Sequence, residues 1–386
     1  MRAFLTLLLV LGCAASPTHA QAQRAEPTAA AFREDALSIE GLINSQYAYL
    51  DRFPNGAMPM SDAMRAEAGA VSDRRTLLRY AERAVFALAD HHAITGGSFA
   101  DSWGLVPSYS DLWIEPEGDG WRITAVRQGS PAAGAGVRAG DGLIAIAGTS
   151  TTEAVVAFWA DLGLEPTGDR AGYAARVLAA GRRDRPRDLT IRDASGAERR
   201  LTLPNLYAAA PGERPPVSAR QADGALVIRF NDSLGDSDTV EAFDVAMAAA
   251  RSGQPIVLDL TDTASGGNTV VARAIMGAYQ IHNLPAEERR SGGPRQWIEQ
   301  ALPRPGKRHY GSVTVRVGRW TGSMGEGLAI GLDALGADVV GDPMAGLLGA
   351  IYDHRLEHSG MVIKLPTERL YAVDGTPREA FRPRAE

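Results

Sequence analysis

The sequence of this 386-residue chain predicts a mixed α/β fold that follows a helical N-terminal region. Two observations support this prediction. Between residues 225 and 335, apolar runs of strand length alternate with longer segments of helical periodicity, as in layered α/β domains. Before residue 103, by contrast, the apolar residues recur mainly at helical spacing. Since 45% of the residues are hydrophobic and 22% are charged, the chain can form two or three packed domains.

Residues 1–22 have the features of a secretory signal peptide. Arg2 precedes a short apolar run, and small residues end this segment at Ala22. The run is too short to span a bilayer, and no later segment approaches ~18 uninterrupted apolar residues, so we expect no stable membrane span. These features predict a periplasmic or secreted protein. In an alternative interpretation, Cys13, the sole cysteine, is the lipidated residue of a lipoprotein.

Composition and motifs argue against several classes of function. A formal net charge of -6 provides no basic field that would attract a nucleic acid. A glycine-rich dinucleotide fingerprint is absent, and we expect no cofactor. His354 and His358 have the spacing of a helical zinc pair, but Arg355 stands where the metallopeptidase motif requires glutamate. We therefore expect a solvated turn there, and no metal site.

The region before the α/β part divides into two segments. Residues 23–102 are predicted to be helical, with one helix in residues 33–50 and a second that Ser72–Asp73 can cap and that continues to residue 88. This helix must end before Gly96–Gly97, so the histidines at positions 91 and 92 come just after it. Residues 103–205 are rich in turns, with strands expected at 121–126, 143–146 and 189–191 and a helix at 152–162.

A proline-rich linker at residues 204–216 introduces the last predicted domain, residues 206–386. Its expected strands are 225–230, 255–260 and 312–318, and its expected helices are 237–250, 268–279 and 324–335. Ser323 falls on the turn between the last strand and helix. There its hydroxyl is exposed, the helix dipole lies behind it, and the Met324 N–H can donate to an oxyanion. Alternatively, Ser323 only caps the helix.

A second turn of interest follows the strand at 255–260. It contains Gly266 and Gly267, which allow backbone N–H groups to approach a ligand closely. A tight turn without a binding role is the alternative. A phosphate cradle is not indicated, because no lysine follows.

Taken together, these segments resemble the tail-specific, or C-terminal-processing, family of serine peptidases. The resemblance covers residues 85–386. Its motifs are Asp90-x-His92, the segment 103–205, Asp259-Leu260 with Gly266-Gly267-Asn268, Gly322-Ser323-x-x-Glu326, and Gly375-x-x-x-Glu379. The resemblance implies a crotonase-like α/β core in which Ser323 attacks the peptide carbonyl. Met324 and the Gly266–Gly267 turn would supply the oxyanion donors.

Residues 103–205 resemble a PDZ domain. Such a domain pairs a peptide C-terminus with a strand edge, while a loop of backbone N–H groups holds the carboxylate. The resemblance implies polypeptide substrates with exposed C-termini and places the helix beside the groove at 152–162. It places the carboxylate loop at Tyr109, Ser110, Asp111, Leu112 and Trp113.

The general base differs from that of the commonest branch of the family, which uses a lysine about 25 residues after the serine. Here that position is Leu348, and the two lysines, Lys307 and Lys364, lie elsewhere. A tricorn-like branch instead uses a histidine from the N-terminal part and a glutamate near the C-terminus. His92 and Glu379 match these positions, as base and orienting carboxylate.

Two residues depart from the pattern of the tricorn-like branch, and a second carboxylate is a candidate for orienting the His92 ring. His91 stands where that branch has a serine, and Thr261 stands where its strand motif has an arginine. Asp90 is a second candidate for orienting the His92 ring. An inactive former peptidase that retains a PDZ binding function is therefore an alternative. A crotonase-like acyl-transfer enzyme acting on a thioester is a third hypothesis.

Overall fold

The computed structural model describes residues 27–209, 214–231, 233–264, 266–277, 286–289, 295–298, 300–306 and 308–386. The predicted signal peptide with its Cys13, and also Lys307, lie outside these residues. Within the ranges given, no helix combines the length and the apolar character needed to cross a bilayer.

The N-terminal region is helical, as predicted. It contains α1 (Ala29–Gln46), α2 (Asp62–Ala70), α3 (Arg74–Phe86) and, after the last helix, a short strand β1 (Ile94–Thr95). Each helix begins at a polar side chain that accepts a backbone N–H from the first turn, namely Thr28, Ser61 and Asp73. Helix α2 was not predicted, because it buries only Met64 and Ala68.

Residues 112–203 form an antiparallel sheet, here called the middle sheet. Its strands are β2 (Leu112–Glu117), β3 (Gly120–Val126), β4 (Gly142–Ile146), β5 (Thr149–Ser150), β6 (Arg187–Arg192) and β7 (Glu198–Leu203). They are ordered β2-β3-β4-β6-β7, with β5 beside β4. The accompanying helices are α4 (Pro131–Gly134), α5 (Thr151–Ala160) and α6 (Asp169–Ala180). The predicted elements are confirmed to within two residues.

The C-terminal part contains the predicted alternation of strands and helices. Strands β8 (Val217–Ala222), β9 (Ala225–Phe230), β10 (Ile256–Asp259), β13 (Val313–Val317) and β14 (Asp338–Gly341) form the core sheet, in the order β14-β13-β10-β9-β8. All pairs except β8 with β9 are parallel. The intervening helices are α7 (Asp238–Ala248), α8 (Thr269–Met276) and α9 (Met324–Ala334). Parallel strands end at the same edge of a sheet, which brings the turns after β10 and β13 together.

A third sheet, here called the outer sheet, joins the two ends of the chain. It contains β11 (Ala286–Arg289), β12 (Arg295–Ile298), β15 (Ala350–Arg355) and β16 (Val362–Leu370), and β1 pairs with β16. This pairing carries the segment that follows His92 across to the C-terminal part. The prediction of a solvated turn at residues 354–358 is wrong for His354 and Arg355, because β15 continues to Arg355.

The N-terminal helices and the middle sheet share one hydrophobic core, and a second core surrounds the core sheet. A small cluster lies where the two parts meet. It consists of Val106, Trp113, Ala180, Ala264, Trp320, Ala345 and Leu347. Residues 318–323, between β13 and α9, are here called the serine turn. Its Trp320 therefore belongs to the same cluster as Trp113 at the start of the middle sheet.

Candidate active site

Ser323 lies between β13 and α9 in a strained backbone conformation. Its φ of +51° and ψ of -116° belong to a region that residues other than glycine rarely adopt. Such strain costs about 1–3 kcal/mol and persists only where the surroundings hold it. Here the Ser323 N–H donates to Glu326 Oε2 at 2.9 Å, and Thr321 Oγ1 donates to the Leu260 carbonyl at 2.8 Å. The predicted strand-to-helix turn is present.

The structure brings Ser323 and His92 together, although they are 231 positions apart. Ser323 Oγ lies 3.0 Å from His92 Nε2, and His92 Nδ1 lies 2.6 Å from the Leu348 carbonyl oxygen. A carbonyl can only accept, so Nδ1 must carry the ring proton. The lone pair of Nε2 is then directed at the serine hydroxyl, as a general base requires.

Asp90 fixes the backbone at His92, not its ring. Asp90 Oδ1 accepts the His92 backbone N–H at 2.8 Å, and its Oδ2 accepts the Tyr47 hydroxyl at 2.9 Å. The hypothesis that Asp90 orients the ring is therefore wrong. The neighbouring His91 ring stacks on Tyr173 with the ring centres 4.4 Å apart.

The environment of His92 favours its neutral form. Burial, together with the positive charge of Arg378, lowers the pKa of His92 to about 3, although the carbonyls of Leu348 and Gly349 oppose this shift. An imidazole that is neutral at pH 7 can accept the serine proton. The base is therefore in its working form at neutral pH.

Glu379 does not orient the histidine, so this expectation from the family resemblance is wrong in the structure. Glu379 lies in a short 3-10 helix, Arg378–Ala380. The ring nitrogen that it was expected to hold is bonded to the Leu348 carbonyl instead. Within the described part of the chain, Glu379 Oε2 is buried and has no hydrogen-bond partner. Leu348, where the commonest branch has its lysine, thus contributes through its backbone.

The two predicted oxyanion segments lie against each other. Met324 is the first residue of α9, where backbone N–H groups have no partner within the helix. A Cβ added to Gly267 would lie 2.1 Å from Met324 Cβ, so only glycine fits at this contact. On either side of Gly267, the Gly266 carbonyl accepts the Leu234 N–H and the Asn268 N–H donates to the Leu234 carbonyl. The N–H of Gly267 therefore faces away from Leu234.

Glu326 is a buried acceptor of backbone N–H groups. Its Oε2 accepts from Ser323 and Leu347 at 2.9 and 3.2 Å, and its Oε1 accepts from Gly346 at 2.9 Å. Burial raises the pKa of Glu326 to about 7, while Arg378 and the three N–H groups act in the opposite direction.

The described lysine lies in the outer sheet. Lys364 Nζ forms an ion pair with Asp353 Oδ1 at 2.7 Å, and its backbone pairs with Ile94. Because the Ser323 hydroxyl already contacts His92 Nε2, no lysine takes the place of the base among the residues described. In the same part of the chain, no cluster of three or more His, Cys, Asp or Glu residues could hold a metal ion.

The loop expected to bind a peptide carboxylate is closed, so this prediction is wrong for the structure as it stands. Ser110, Asp111, Leu112 and Trp113 are buried. The N–H groups of Tyr109 and Ser110 donate to the carbonyls of Leu105 and Pro107. Asp111 pairs with the buried Arg187 at 2.6 Å. The donors and the space that a ligand carboxylate needs are therefore already used.

The loop instead contacts the segment before Ser323. Trp320 Nε1 donates to the Ser110 carbonyl at 2.7 Å, and Arg319 pairs with Glu115 Oε1 at 2.7 Å. The helix along β2 is α6 and not the predicted 152–162, since α5 packs on β4, β5 and α6. Helix α6 can lie close because its buried face is mainly alanine and glycine.

Sequence reasoning missed two contributors to this site. The first is the Leu348 carbonyl, which side-chain patterns cannot reveal because every residue has one. The second is Arg378, whose guanidinium donates to the carbonyls of Leu347 and Gly349. The sequence places Arg378 among other arginines near the C-terminus, and no signal distinguishes it from them.

The sequence matches no protein-family model, and no curated protein matches it significantly. Its fold, however, is similar to that of mature CPAF, with a TM-score of 0.58, 13% identity and coverage of 92% of both chains. The photosystem II D1 C-terminal processing protease gives a TM-score of 0.56 at 15% identity, with 92% of this chain and 93% of that chain covered. At these identities the likeness concerns the fold alone. The likeness extends over almost the whole chain.

Proposed function

We propose that this protein is a serine endopeptidase that cleaves polypeptides, with Ser323 as nucleophile and His92 as general base. The observation that carries the proposal is the 3.0 Å contact between Ser323 Oγ and His92 Nε2, with Nδ1 held by the Leu348 carbonyl. The shared fold with two proteases supports it. The arrangement is a dyad whose ring is oriented by a backbone carbonyl, without the carboxylate of the usual triad.

The proposed reaction has two steps. His92 Nε2 takes the Ser323 proton as Oγ attacks the peptide carbonyl carbon, and the carbonyl oxygen becomes an oxyanion. The imidazolium then gives this proton to the leaving amine, which leaves an acyl-enzyme. Water attacks the acyl-enzyme with His92 again as base, and the product acid and free Ser323 result.

The oxyanion would be stabilised by the N–H of Met324 and by the glycine turn. Met324 N–H lies at the positive end of the α9 dipole. Of the two glycines, Gly267 is the better candidate for an oxyanion donor, because it contacts Met324 and its N–H faces away from the Leu234 backbone. Loss of one such donor typically costs about 10²–10³ in kcat.

We also propose that residues 206–386 form a crotonase-like core and that residues 103–205 are a PDZ-like module. The parallel sheet with helices α7, α8 and α9 supports the first assignment. The antiparallel middle sheet with its helices α4 and α5 supports the second. Because the loop at residues 109–113 contacts the serine turn, the module would support the active site.

The proposed activity has a direct test. Purified protein should hydrolyse an unfolded polypeptide, and a serine-directed phosphonate should label Ser323, as identified by mass spectrometry of the peptides. The absence of both labelling and hydrolysis would instead support an inactive, peptidase-like protein. Hydrolysis of acyl-CoA without hydrolysis of peptides would indicate the thioester reaction. Neither alternative is favoured by a specific contact in the site.

The protonation of His92 can be measured without any substrate. We expect the His92 imidazole to stay neutral at all pH values above about 5, because burial and Arg378 both disfavour the cation. Its NMR signals, assigned by their loss in His92→Ala, should therefore show no titration between pH 8 and pH 5. A midpoint of about 6.5, the usual pKa of a solvent-exposed imidazole, would contradict this prediction.

We further propose that the protein is exported. The basic, apolar and small-residue regions of residues 1–22 support cleavage after Ala22. Mass spectrometry of the protein from its natural host should find a mature N-terminus at Gln23. A lipidated N-terminus at Cys13 would support the lipoprotein alternative, and an intact Met1 would argue against processing.

A further inference from the structure

Arg378 is a buried cation that binds carbonyl groups on both sides of the dyad. Its side chain is only 4% exposed. Its Nη2 donates to the carbonyls of Leu347 and Gly349 at 2.5 and 2.6 Å, and its Nη1 lies 3.5 Å from the Ser323 carbonyl. Leu347 and Gly349 flank Leu348, whose carbonyl holds His92 Nδ1. The guanidinium therefore contacts the serine turn and the histidine-orienting loop at once.

Glu326 binds the same two segments through their N–H groups. Its carboxylate accepts from Ser323, Gly346 and Leu347. At Ser323 and Leu347, the anion thus holds the N–H and the cation holds the carbonyl. Glu326 and Arg378 are both buried, and the positive charge of Arg378 favours the ionised form of Glu326. Two opposite charges therefore fix the nucleophile and the loop at residues 346–349 relative to each other.

We propose that Arg378 is a positioning residue that, with Glu326, locks the strained Ser323 turn against the loop whose Leu348 carbonyl orients His92. This inference rests on the proposed peptidase function. Arginine suits the role because its planar guanidinium directs several donors at fixed angles, whereas a lysine ammonium is a single point of charge. Displacement of a catalytic group by about 1 Å can cost about 10²-fold in rate.

The charge of Arg378 also acts on His92. In the described part of the chain, the charge of Arg378 acts on the His92 ring, and Asp90 contacts the His92 backbone N–H. Glu326 bonds to the Ser323 N–H. Asp90 is occupied by the His92 backbone N–H and by Tyr47. Arg378 therefore has two separable effects, one on geometry through its carbonyl contacts and one on the protonation of the imidazole through its charge.

Two substitutions separate these effects. Arg378→Met removes both the donors and the charge, so kcat/KM should fall by about 10²-fold with KM changed less than about threefold. Its His92 signals should titrate at a higher pH than in the wild type, because the positive charge of Arg378 lowers the pKa of His92. Arg378→Lys keeps the positive charge but loses the planar guanidinium with its several donors. It should therefore lower kcat by about tenfold or more and leave the titration of His92 unchanged.

The neighbouring Arg382 provides the matched control. It is exposed, and its Nη1 donates to the carbonyls of Glu379 and Phe381, whereas Arg378 donates to those of Leu347 and Gly349. Arg382→Met should retain at least half of the wild-type kcat/KM. Thermal unfolding of all three variants shows whether they fold, and the NMR titration reports on His92 even in a variant without activity.

The Glu326 half of the pair has its own test. Glu326→Gln replaces the carboxylate with a neutral amide that cannot accept all three N–H groups. We expect a kcat at least about 10-fold below wild type. Because the pKa of Glu326 is about 7, the wild-type kcat should fall as the pH drops through about 7, and the variant should lack this decline. A variant with the same decline would contradict the role of the Glu326 charge.

Specific results would overturn this inference. If wild-type protein hydrolyses peptides and folded Arg378→Met does so at more than a third of its rate, Arg378 is not a positioning residue. An unchanged His92 titration in Arg378→Met would contradict the electrostatic part. If the wild type hydrolyses no peptide and binds no phosphonate, the peptidase proposal itself fails, which is a separate outcome.

Discussion

Replacing Ser323 by alanine is expected to lower kcat/KM for polypeptide hydrolysis by at least about 10⁴-fold while the fold is retained. The side chain loses only the oxygen that contacts His92 Nε2, and the N–H that donates to Glu326 is backbone and stays in place. Stopped assays on an unfolded polypeptide would measure the loss. Circular dichroism and thermal unfolding would verify that the variant is folded.

Ser312 offers a matched control for this substitution. It is an exposed serine just before β13, the strand that leads to Ser323. Ser312→Ala should change kcat/KM by less than about twofold, since surface substitutions have small effects. Full hydrolytic activity in folded Ser323→Ala would show that another group is the nucleophile.

Replacing His92 by alanine is expected to lower kcat by at least about 10³-fold, the scale observed when a member of such a triad is removed. In the described part of the chain, the base that contacts the Ser323 hydroxyl is His92, through its Nε2. The double variant Ser323→Ala, His92→Ala should be no slower than the slower single variant, since the two groups act as one unit.

The lysine variant distinguishes the two possible bases. Lys364 Nζ is paired with Asp353 in the outer sheet, whereas the Ser323 hydroxyl is hydrogen-bonded to His92 Nε2, so Lys364 is not in place to accept the serine proton. Lys364→Ala should therefore cost less than about tenfold in kcat. If Lys364→Ala loses activity while His92→Ala keeps it, the histidine assignment is wrong, even if Ser323 is the nucleophile.

Much of this fold could be predicted from local patterns. The strand at 225–230 and the helix beginning at Met324 are confirmed at the residues expected, because their apolar periodicity is a property of a short stretch of chain. Strands β3, β4 and β6 of the middle sheet were predicted from alternation and turn residues in the same way, whereas β2, β5 and β7 were not predicted. Helix α6 was missed, because most of its buried positions are alanine or glycine, which give little hydrophobic contrast.

The sequence indicated Ser323 through its place on a strand-to-helix turn, and it indicated His92 through the resemblance to the tricorn-like branch, since Leu348 stands where the commonest branch has its lysine. Only the tertiary structure decided their partners. Pairing of β1 with β16 brings His92 to the loop at residues 346–349, and there a backbone carbonyl and Arg378 occupy the region expected for Glu379. The tertiary structure also decided that the loop at residues 109–113 is closed, by Arg187 and by contacts with the serine turn. Backbone acceptors and long-range ion pairs depend on how distant segments pack, and no pattern within one segment records them.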